Sequence, residues 1–324
     1  MRVLVTGATG FTGGHLARGL AARGDEVQVL ARPSSKGAGL DGVLRFEGDL
    51  RDAAAVERAA AGVDVVYHIA AIYRQAGLRT EEYRAVNAGA VRTVIEAAAR
   101  AGARRVVHCS TVGVHGDVEH PPADENAPLK PGDIYQQTKL EGEHVARQAS
   151  ADTGVEVVIA RPTGIYGPGD RRLLKLFRGV ARRRFAILGS GDILYHLTYI
   201  DDLVEGFRLC GTVAAAAGRT YILAGPEVTT LKDLVGIVAE EAGVAPPRTH
   251  LPVWPFWIAG ALCEAACKPF GIEPPLYRRR VDFFTKSRAF DISRARAEIG
   301  YAPQVELREG IRRTLAWYRD AGWL

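Results

Sequence analysis

The chain has 324 residues, of which 47% are hydrophobic and 24% are charged, and its formal net charge is +5. This composition is typical of a soluble globular protein, and the length accommodates one large α/β domain or a core domain with a smaller second one. There is no apolar run of the ~20 residues that a membrane span needs, and there is no secretion signal, so we expect a cytoplasmic protein without a membrane span. The four cysteines fit no metal-binding spacing, which predicts free thiols and no metal site.

Basic residues concentrate in RRLLKLFRGVARRR (171–184), where they alternate with apolar residues. This spacing predicts an amphipathic helix with a solvated basic face. Attraction of an anionic substrate or cofactor is the second interpretation of the charge. No groove-reading motif accompanies the charge, so a nucleic-acid partner is not expected.

Six short apolar runs alternate with helical patterns in the first half of the chain: RVLVT, EVQVLA, VLRFEG, DVVYHIA, RRVVHCS and VEVVIA. This alternation predicts βαβ units and a Rossmann-type, doubly wound parallel sheet. TYILAG (220–225) is one more predicted strand, and the chain after Leu231 is mostly helical. We predict a dinucleotide-binding domain over 1–164, with returns near 196–225, and a smaller, mainly substrate-binding domain over 165–324.

A glycine loop follows the first predicted strand, with Gly7, Gly10 and Gly13 at intervals of three. Glycines at this point allow a tight turn, close approach of a pyrophosphate to the backbone, and close packing of helix on strand. The N-terminus of the next helix offers free N–H groups and partial positive charge to the phosphates. The loop therefore predicts a dinucleotide cofactor.

The second predicted strand ends in Ala31-Arg32, where NAD-binding units carry an acid for the ribose 2′-hydroxyl. Arg32 could instead hold a 2′-phosphate in its planar fork, with Ser34 and Lys36 close by. We therefore expect NADP(H) to be favoured over NAD(H). The other interpretation is an arginine that stacks on the adenine or faces water.

Tyr135 and Lys139 are four residues apart in YQQTK, which places them one turn apart on the same helix face. A neighbouring ammonium favours a phenolate, so Lys139 is expected to lower the pKa of Tyr135 and prepare it for proton transfer. Ser110 and Thr111 stand at the end of the strand RRVVHCS, where the Thr111 hydroxyl could hold the substrate oxygen. Thr111 alone is equally interpreted as a helix cap or a turn hydroxyl.

Several segments together resemble the extended branch of the short-chain dehydrogenase/reductase superfamily, the NAD(P)-dependent epimerases and dehydratases. They are TGATGFTGG (6–14), GDLRD (48–52), YHIAA (67–71), HCSTVGVHG (108–116), YQQTK (135–139), RPTGIYGPGD (161–170) and FDISRARAEIGY (290–301). The resemblance implies hydride transfer at the carbon of a cyclic secondary alcohol or ketone in a small-molecule substrate. It also implies a homodimer formed through helices near 80–101 and 133–153.

The resemblance assigns roles to individual residues. Thr111 would be the hydroxyl partner, Tyr135 the acid/base and Lys139 its electrostatic helper. Asn87 would sit on the helix behind the site. The implied cofactor-binding residues are Gly7, Thr9, Gly10, Phe11, Gly13, Arg32, Asp49, Leu50, Ala70, Ala71, Tyr135, Lys139 and Pro162.

Three departures bear on the substrate. Val112-Gly113 follow Thr111 where dehydratases carry an Asp-Glu pair, so no carboxylate is placed to eliminate water and we do not expect that reaction. Gly164 and Tyr195 replace the Asn and Arg that hold the substrate diphosphate in nucleotide-sugar epimerases. The segments RPTGIYGPGD and LPVWPFWIAGALCEAACKPFG (251–271) instead look like those of 3β-hydroxysteroid dehydrogenases and dihydroflavonol reductases.

Three functions follow from these departures. A nucleotide-sugar substrate is slightly favoured on the frequency of such substrates in the family. The alternative is an NADP(H)-dependent reductase of an apolar ring substrate, with the two-tryptophan segment covering the site; the tryptophans could also be plain core. A third class is an NADP(H)-binding sensor without turnover, which typically lacks the tyrosine or the lysine present here.

Overall fold

The computed structural model describes residues 1–35, 40, 42–75, 77–267 and 278–324, with the side chains of 278–280 left aside. In these ranges the strands are β1 (Arg2–Thr6), β2 (Glu26–Ala31), β3 (Leu44–Glu47), β4 (Val65–His68), β5 (Arg105–Cys109), β6 (Glu156–Pro162), β7 (Gly164–Tyr166), β8 (Ile187–Leu188), β9 (Leu194–Tyr199), β10 (Thr220–Leu223), β11 (Val228–Thr230) and β12 (His250–Leu251).

The helices within the same ranges are α1 (Phe11–Ala22), α2 (Ala53–Ala60), α3 (Thr80–Arg84), α4 (Ala90–Arg100), α5 (Ile134–Thr153), α6 (Leu174–Ala181), α7 (Ile200–Thr212), α8 (Leu231–Ala242), α9 (Val253–Cys267), α10 (Arg278–Thr285), α11 (Ser293–Ile299) and α12 (Leu307–Asp320). A π-helical turn, Ala85–Gly89, joins α3 to α4 without a break. No helix of the described ranges combines the length and the apolar character that crossing a bilayer requires.

A seven-stranded parallel sheet forms the centre of the molecule, in the order β10-β6-β5-β4-β1-β2-β3. The six apolar runs of the first half become β1 to β6, and TYILAG contributes β10. The order runs outward in both directions from β1 and β4, as in a doubly wound sheet. The predicted Rossmann-type fold is therefore confirmed.

The sheet is covered on both faces because alternate residues of each strand point to opposite sides. In β1, Val3 and Val5 belong to one buried cluster together with α1 and α7, whereas Leu4 belongs to a second cluster with α2, α4 and α5. Buried strands of this kind have the continuous apolar composition that made them recognisable in the sequence.

The remaining elements lie mostly C-terminal to β6. A small sheet has the order β11-β9-β7, and β8 pairs with β12 in a two-residue parallel ladder. Helices α6 and α12 pack against α8, and α10 packs against α9. The mainly helical C-terminal portion predicted from the sequence is thus present, although β10 and α7 return to the central layer.

Candidate active site

A cleft of about 770 Å³ opens where β1, β4, β5 and β6 end. Parallel strands bring their carboxyl ends to one edge, so the loops that follow them meet there. All of the residues proposed above as catalytic or cofactor-binding line this cleft: Gly7, Thr9, Gly10, Phe11, Gly13, Arg32, Asp49, Leu50, Ala70, Ala71, Thr111, Tyr135, Lys139 and Pro162. The structure therefore brings together segments that are up to 155 residues apart in the chain, Gly7 to Pro162.

The glycine loop is packed too tightly for side chains at two of its positions. A Cβ on Gly7, whose φ is +75°, would lie 2.7 Å from the backbone of Ala70, and one on Gly13 would lie 2.3 Å from the carbonyl oxygen of Gly7. Helix α1 then begins after Gly10 without a side-chain cap, so its first N–H groups are left for a ligand. This cradle fits the pyrophosphate of a nicotinamide dinucleotide.

The far end of the cleft, beyond β2, is basic. Arg32 is exposed there, and Arg51, which sequence analysis did not identify, also lines the cleft. Arg51 donates two hydrogen bonds to Asp49, at 2.7 and 2.9 Å, and these bonds hold the pKa of the Asp49 carboxyl below its usual value. Ser35 rather than Ser34 lines the cleft, and Lys36 lies outside the described residues.

The N-terminal turn of α5 carries Tyr135 into the cleft. The Asp133 carboxylate caps this helix by accepting a 2.7 Å hydrogen bond from the Gln136 amide, which fixes where the helix begins. Tyr135 and Lys139 both line the cleft, and in the described part of the chain neither side chain's polar atom has a hydrogen-bond partner. Both groups are thus available to a ligand.

Thr111 caps a short turn and also lies at the cleft, so the turn role is observed and the substrate role stays a prediction. Its Oγ1 accepts a 3.1 Å hydrogen bond from the Gly113 amide and so caps a short 3₁₀ turn, Val112–His115. The same hydroxyl lines the cleft with Tyr135. Because an accepting hydroxyl keeps its own proton, Thr111 can still donate to a substrate oxygen.

The electrostatics of Tyr135 differ from the expectation. Burial raises the pKa of the Tyr135 phenol well above its usual value, and burial also lowers the pKa of Lys139. The prediction that Lys139 makes this phenol acidic is therefore wrong for the protein's own residues, because loss of hydration disfavours the charged forms of both groups. At neutral pH the phenol stays protonated and is a proton donor.

Behind the cleft, Glu143 connects three segments of the site. It follows Lys139 by one further turn and is 1% exposed. Arg161 donates to both of its oxygens, at 2.8 and 2.7 Å, and the Ser110 hydroxyl donates at 2.5 Å. Since Ser110 precedes Thr111 and Arg161 precedes Pro162, this network holds α5 against the ends of β5 and β6.

Glu143 and Arg161 were not identified from the sequence. The spacing of four that joins Tyr135 to Lys139 also joins Lys139 to Glu143, so an acid on the buried face of this helix was a usable signal. Burial alone would raise the pKa of Glu143, but the hydrogen bonds and charge of Arg161, with the bond from Ser110, outweigh burial and lower it.

Comparison with known proteins decides the family. The model of the NAD-dependent epimerase/dehydratase family matches residues 3–224, which include the glycine loop, Thr111, Tyr135 and Lys139. The chain belongs to this family. It is accordingly an enzyme of the extended short-chain dehydrogenase/reductase type.

Individual members of the epimerase/dehydratase family resemble the chain over its whole length. A 2-alkyl-3-oxoalkanoate reductase of Stenotrophomonas maltophilia is 32% identical, over 98% of this chain and 99% of that protein. Sterol demethylase protein B of Methylococcus capsulatus is 32% identical and is covered completely, as is this chain. The structure of MoeE5 in complex with UDP-glucuronic acid and NAD superposes with a TM-score of 0.79, at 25% identity, over 99% of this chain and 100% of that one.

Arg74 covers the catalytic tyrosine expected of this family. Its guanidinium lies 5.6 Å from the ring centroid of Tyr135 and 5.1 Å from that of Tyr73, and it donates a 3.1 Å hydrogen bond to Asp133. The ring of Tyr73 meets Tyr135 edge-on at 4.9 Å. No sequence pattern pointed to Tyr73 or Arg74, because they lie in a loop whose path is set by the helix that it contacts.

Asn87 anchors that loop from behind, in the position that the family resemblance implied. Its side-chain amide accepts from the Ile72 amide at 2.8 Å and donates to the Ile72 carbonyl and to Thr138 Oγ1, each at 3.1 Å. Asn87 thus joins the loop after β4 to the N-terminal part of α5, although it does not line the cleft.

Helix α9 does not occupy the place expected for it. Both Trp254 and Trp257 are exposed, at 67% and 49%, and no residue of α9 lines the cleft. The described part of 251–271 therefore neither covers the site nor contributes its tryptophans to the core.

Proposed function

We propose that the protein interconverts a ketone and a secondary alcohol on a largely apolar substrate, using NADP(H) in preference to NAD(H). The observation that carries this proposal concerns Gly164 and Tyr195. They stand where nucleotide-sugar epimerases have the Asn and the Arg that hold the substrate diphosphate. Tyr195 is buried and donates its hydroxyl to the Phe283 carbonyl, so it offers nothing to a ligand. Gly164 has no side chain that could contact a diphosphate, and a Cβ added there would meet the terminal Cδ2 of Leu197 at 2.7 Å.

The roles of the residues follow from the geometry of the cleft. In the direction of reduction, the protonated Tyr135 hydroxyl donates its proton to the substrate oxygen, and Thr111 donates a hydrogen bond to the same atom. A bound nicotinamide supplies or accepts the hydride. Lys139, beneath Tyr135 on α5, contributes positive charge, which stabilises the phenolate left after proton transfer.

The relatives described above support an apolar substrate. Two proteins that resemble the chain over its full length are named for a 2-alkyl-3-oxoalkanoate and for a sterol. Both names describe a mainly hydrocarbon molecule, one of them with a ketone. A ketone of this type requires from the protein only a proton donor, a hydroxyl to orient it and a cofactor, all of which the cleft can provide.

A nucleotide-sugar substrate, which sequence analysis slightly favoured, is the second candidate. Its support is the similarity to MoeE5, which binds UDP-glucuronic acid and NAD. Arg172 and Arg288 line the cleft and could contact a diphosphate, but Arg172 is already paired with Asp170 at 2.9 Å. The sensor alternative has less support, since Thr111, Tyr135 and Lys139 all reach the cleft.

We expect purified protein to oxidise NADPH with a 2-alkyl-3-oxoalkanoate or a 3-ketosteroid, and not to epimerise UDP-glucose or UDP-glucuronic acid. Absorbance of reduced nicotinamide follows the first reaction, and chromatography of the sugar nucleotides follows the second. Turnover of a sugar nucleotide with no turnover of either ketone would reject the apolar substrate and leave the second candidate.

We expect Arg32→Ala to weaken NADPH binding by about tenfold or more and to leave NADH binding nearly unchanged, because only NADPH carries the 2′-phosphate. Binding is measured by quenching of protein fluorescence with each cofactor. Arg51→Ala removes a second arginine that lines this end of the cleft and serves as the matched variant. An equal loss of both cofactors in Arg32→Ala, or tighter NADH than NADPH binding in the unaltered protein, would contradict the preference.

The predicted homodimer is part of this proposal. Helices α4 and α5 pack side by side on one face of the sheet, in the ranges that the family resemblance implies for pairing. The mass of the protein in solution tests the homodimer. The mass of two chains would support it, and the mass of one chain would contradict it.

A further inference from the structure

Helix α9 exposes an apolar face where a surface helix normally presents polar side chains. Its fifteen residues, Val253–Cys267, include one charged residue, Glu264. Trp254, Ile258 and Leu262 are 67%, 44% and 66% exposed. A spacing of four places these three residues in one line along the helix, which we call the apolar stripe. Large apolar side chains in a continuous exposed row indicate a surface that another body covers.

Exposed arginines lie close to the start of this helix. Arg182 and Arg184 come shortly before β8, and Arg248 comes two residues before β12; we call these three residues the basic cluster. All three are exposed, and none forms an ion pair with a carboxylate of the described ranges.

The β8–β12 ladder determines how near these two features are. In this ladder, Ile187 pairs with His250 and Leu188 with Leu251, in parallel. The basic cluster therefore lies at the amino ends of both strands, and α9 begins two residues beyond their carboxyl ends. Two strand residues span roughly 7 Å, so a single flat body could contact both.

We propose that the apolar stripe and the basic cluster together dock the protein on the surface of an anionic lipid bilayer. Tryptophan prefers the boundary between headgroups and hydrocarbon, and arginine is attracted by anionic headgroups. A helix with this pattern lies in the plane of the interface and does not cross it. This docking is separate from the proposed reaction, and it would place the protein where apolar molecules concentrate.

A second copy of the chain fits the same surface less well. Two copies that pair through the same patch bring that patch of each copy face to face. The three arginines of each copy would then lie against the partner's apolar stripe or against its basic cluster, and neither of these two features contains a carboxylate. Charges that are buried without a counterion oppose association. A negatively charged bilayer supplies the balancing charge.

The experiment is flotation of the purified protein with vesicles of phosphatidylcholine alone or mixed with anionic phosphatidylglycerol. We expect binding to the mixed vesicles, weakened by high salt. Trp254→Gln with Leu262→Gln should lower the partition coefficient by about tenfold or more, since it removes two apolar anchors. Arg182→Gln, Arg184→Gln and Arg248→Gln should lower it by about fivefold for each arginine removed.

Matched controls separate the patch from general hydrophobicity and charge. Leu44→Gln removes a 57% exposed leucine on the sheet edge, and Arg58→Gln with Arg79→Gln and Arg312→Gln removes the same net charge elsewhere. Both controls should float like the unaltered protein. Absence of binding to mixed vesicles, equal loss in the controls, or a concentration-dependent dimer that Trp254→Gln with Leu262→Gln abolishes would each overturn the proposal. Cofactor binding and ketone reduction are measured without vesicles. Failure of the proposed function is thereby distinguished from failure of the docking proposal.

Discussion

Tyr135→Phe is expected to lower ketone turnover by about a hundred- to ten-thousandfold, the usual contribution of a positioned proton donor, while the cofactor still binds. The substitution removes one oxygen and keeps the ring that packs against Tyr73 at 4.9 Å and under Arg74. Because this hydroxyl has no hydrogen-bond partner in the described part of the chain, its loss leaves the surrounding structure intact. Steady-state rates and fluorescence titration of NADPH measure the two effects.

Tyr67→Phe is the matched control for this experiment. Tyr67 lies in β4 with its side chain completely buried, and its hydroxyl also has no hydrogen-bond partner among the described residues. Removal of that oxygen should leave both turnover and cofactor binding near those of the unaltered protein. Near-full turnover in Tyr135→Phe, with a normal Tyr67→Phe, would mean that another group supplies the proton.

The direction in which burial shifts the pKa of Tyr135 predicts how the reaction rates depend on pH. Burial raises the pKa of this phenol, so the protonated form that reduction requires is present throughout the neutral range and is lost only at alkaline pH. The rate of reduction should therefore stay level through neutrality, and the reverse oxidation should increase with pH. If Tyr135 is the group that titrates, Tyr135→Phe should show neither the alkaline loss of reduction nor the increase of oxidation with pH.

The parts of this molecule that sequence predicted are those determined over short distances. Buried parallel strands are continuous apolar runs, which identified β1 to β6. The spacing of Gly7, Gly10 and Gly13 after the first strand identified the glycine loop, in which Gly13 packs on the Gly7 carbonyl only six residues away. Tyr135 and Lys139 share a helix turn, which a spacing of four specifies.

The parts that the sequence did not predict depend on contacts between distant segments. Glu143 and Arg161 are eighteen residues apart and meet only when α5 packs across β6. The raised pKa of Tyr135 reflects burial by the whole fold, which outweighs the opposing charges of Arg74 and Arg172. Arg74 reaches Tyr135 through a loop anchored on Asn87. An apolar pattern in α9 indicated burial, and whether a protein core or another body covers such a face is not encoded in the pattern itself.

Removal of either partner of the Glu143–Arg161 pair is expected to destabilise the protein by roughly 3–5 kcal/mol, because a charge is left buried without its counterion. Both side chains are almost completely buried, at 1% and 3% exposure. Among the described residues, Glu143→Leu leaves the guanidinium of Arg161 without a carboxylate partner, and Arg161→Met leaves the carboxylate with the Ser110 hydroxyl and the more distant Arg147. Urea unfolding followed by circular dichroism measures each variant.

The double variant tests the reason for this loss. Glu143→Leu with Arg161→Met replaces the pair by apolar side chains of similar volume, so no buried charge is left, and it should be more stable than either single variant. Glu309→Gln, which breaks two surface ion pairs on α12, with Arg312 and Arg313, should leave the urea midpoint nearly unchanged. If the double variant instead loses as much stability as the two single variants together, lost packing, and not the isolated charge, accounts for the effect.

The acid dependence of stability gives an independent measure of the same pair. The pKa of Glu143 is lower in the folded protein than its unfolded value of 4.5, so its ionisation stabilises the fold above that pH. This contribution declines as the pH falls below 4.5 and through the folded pKa. The difference in urea midpoint between the unaltered protein and Glu143→Leu should therefore be largest near neutrality and shrink below pH 4.5, since protonated Glu143 no longer balances Arg161.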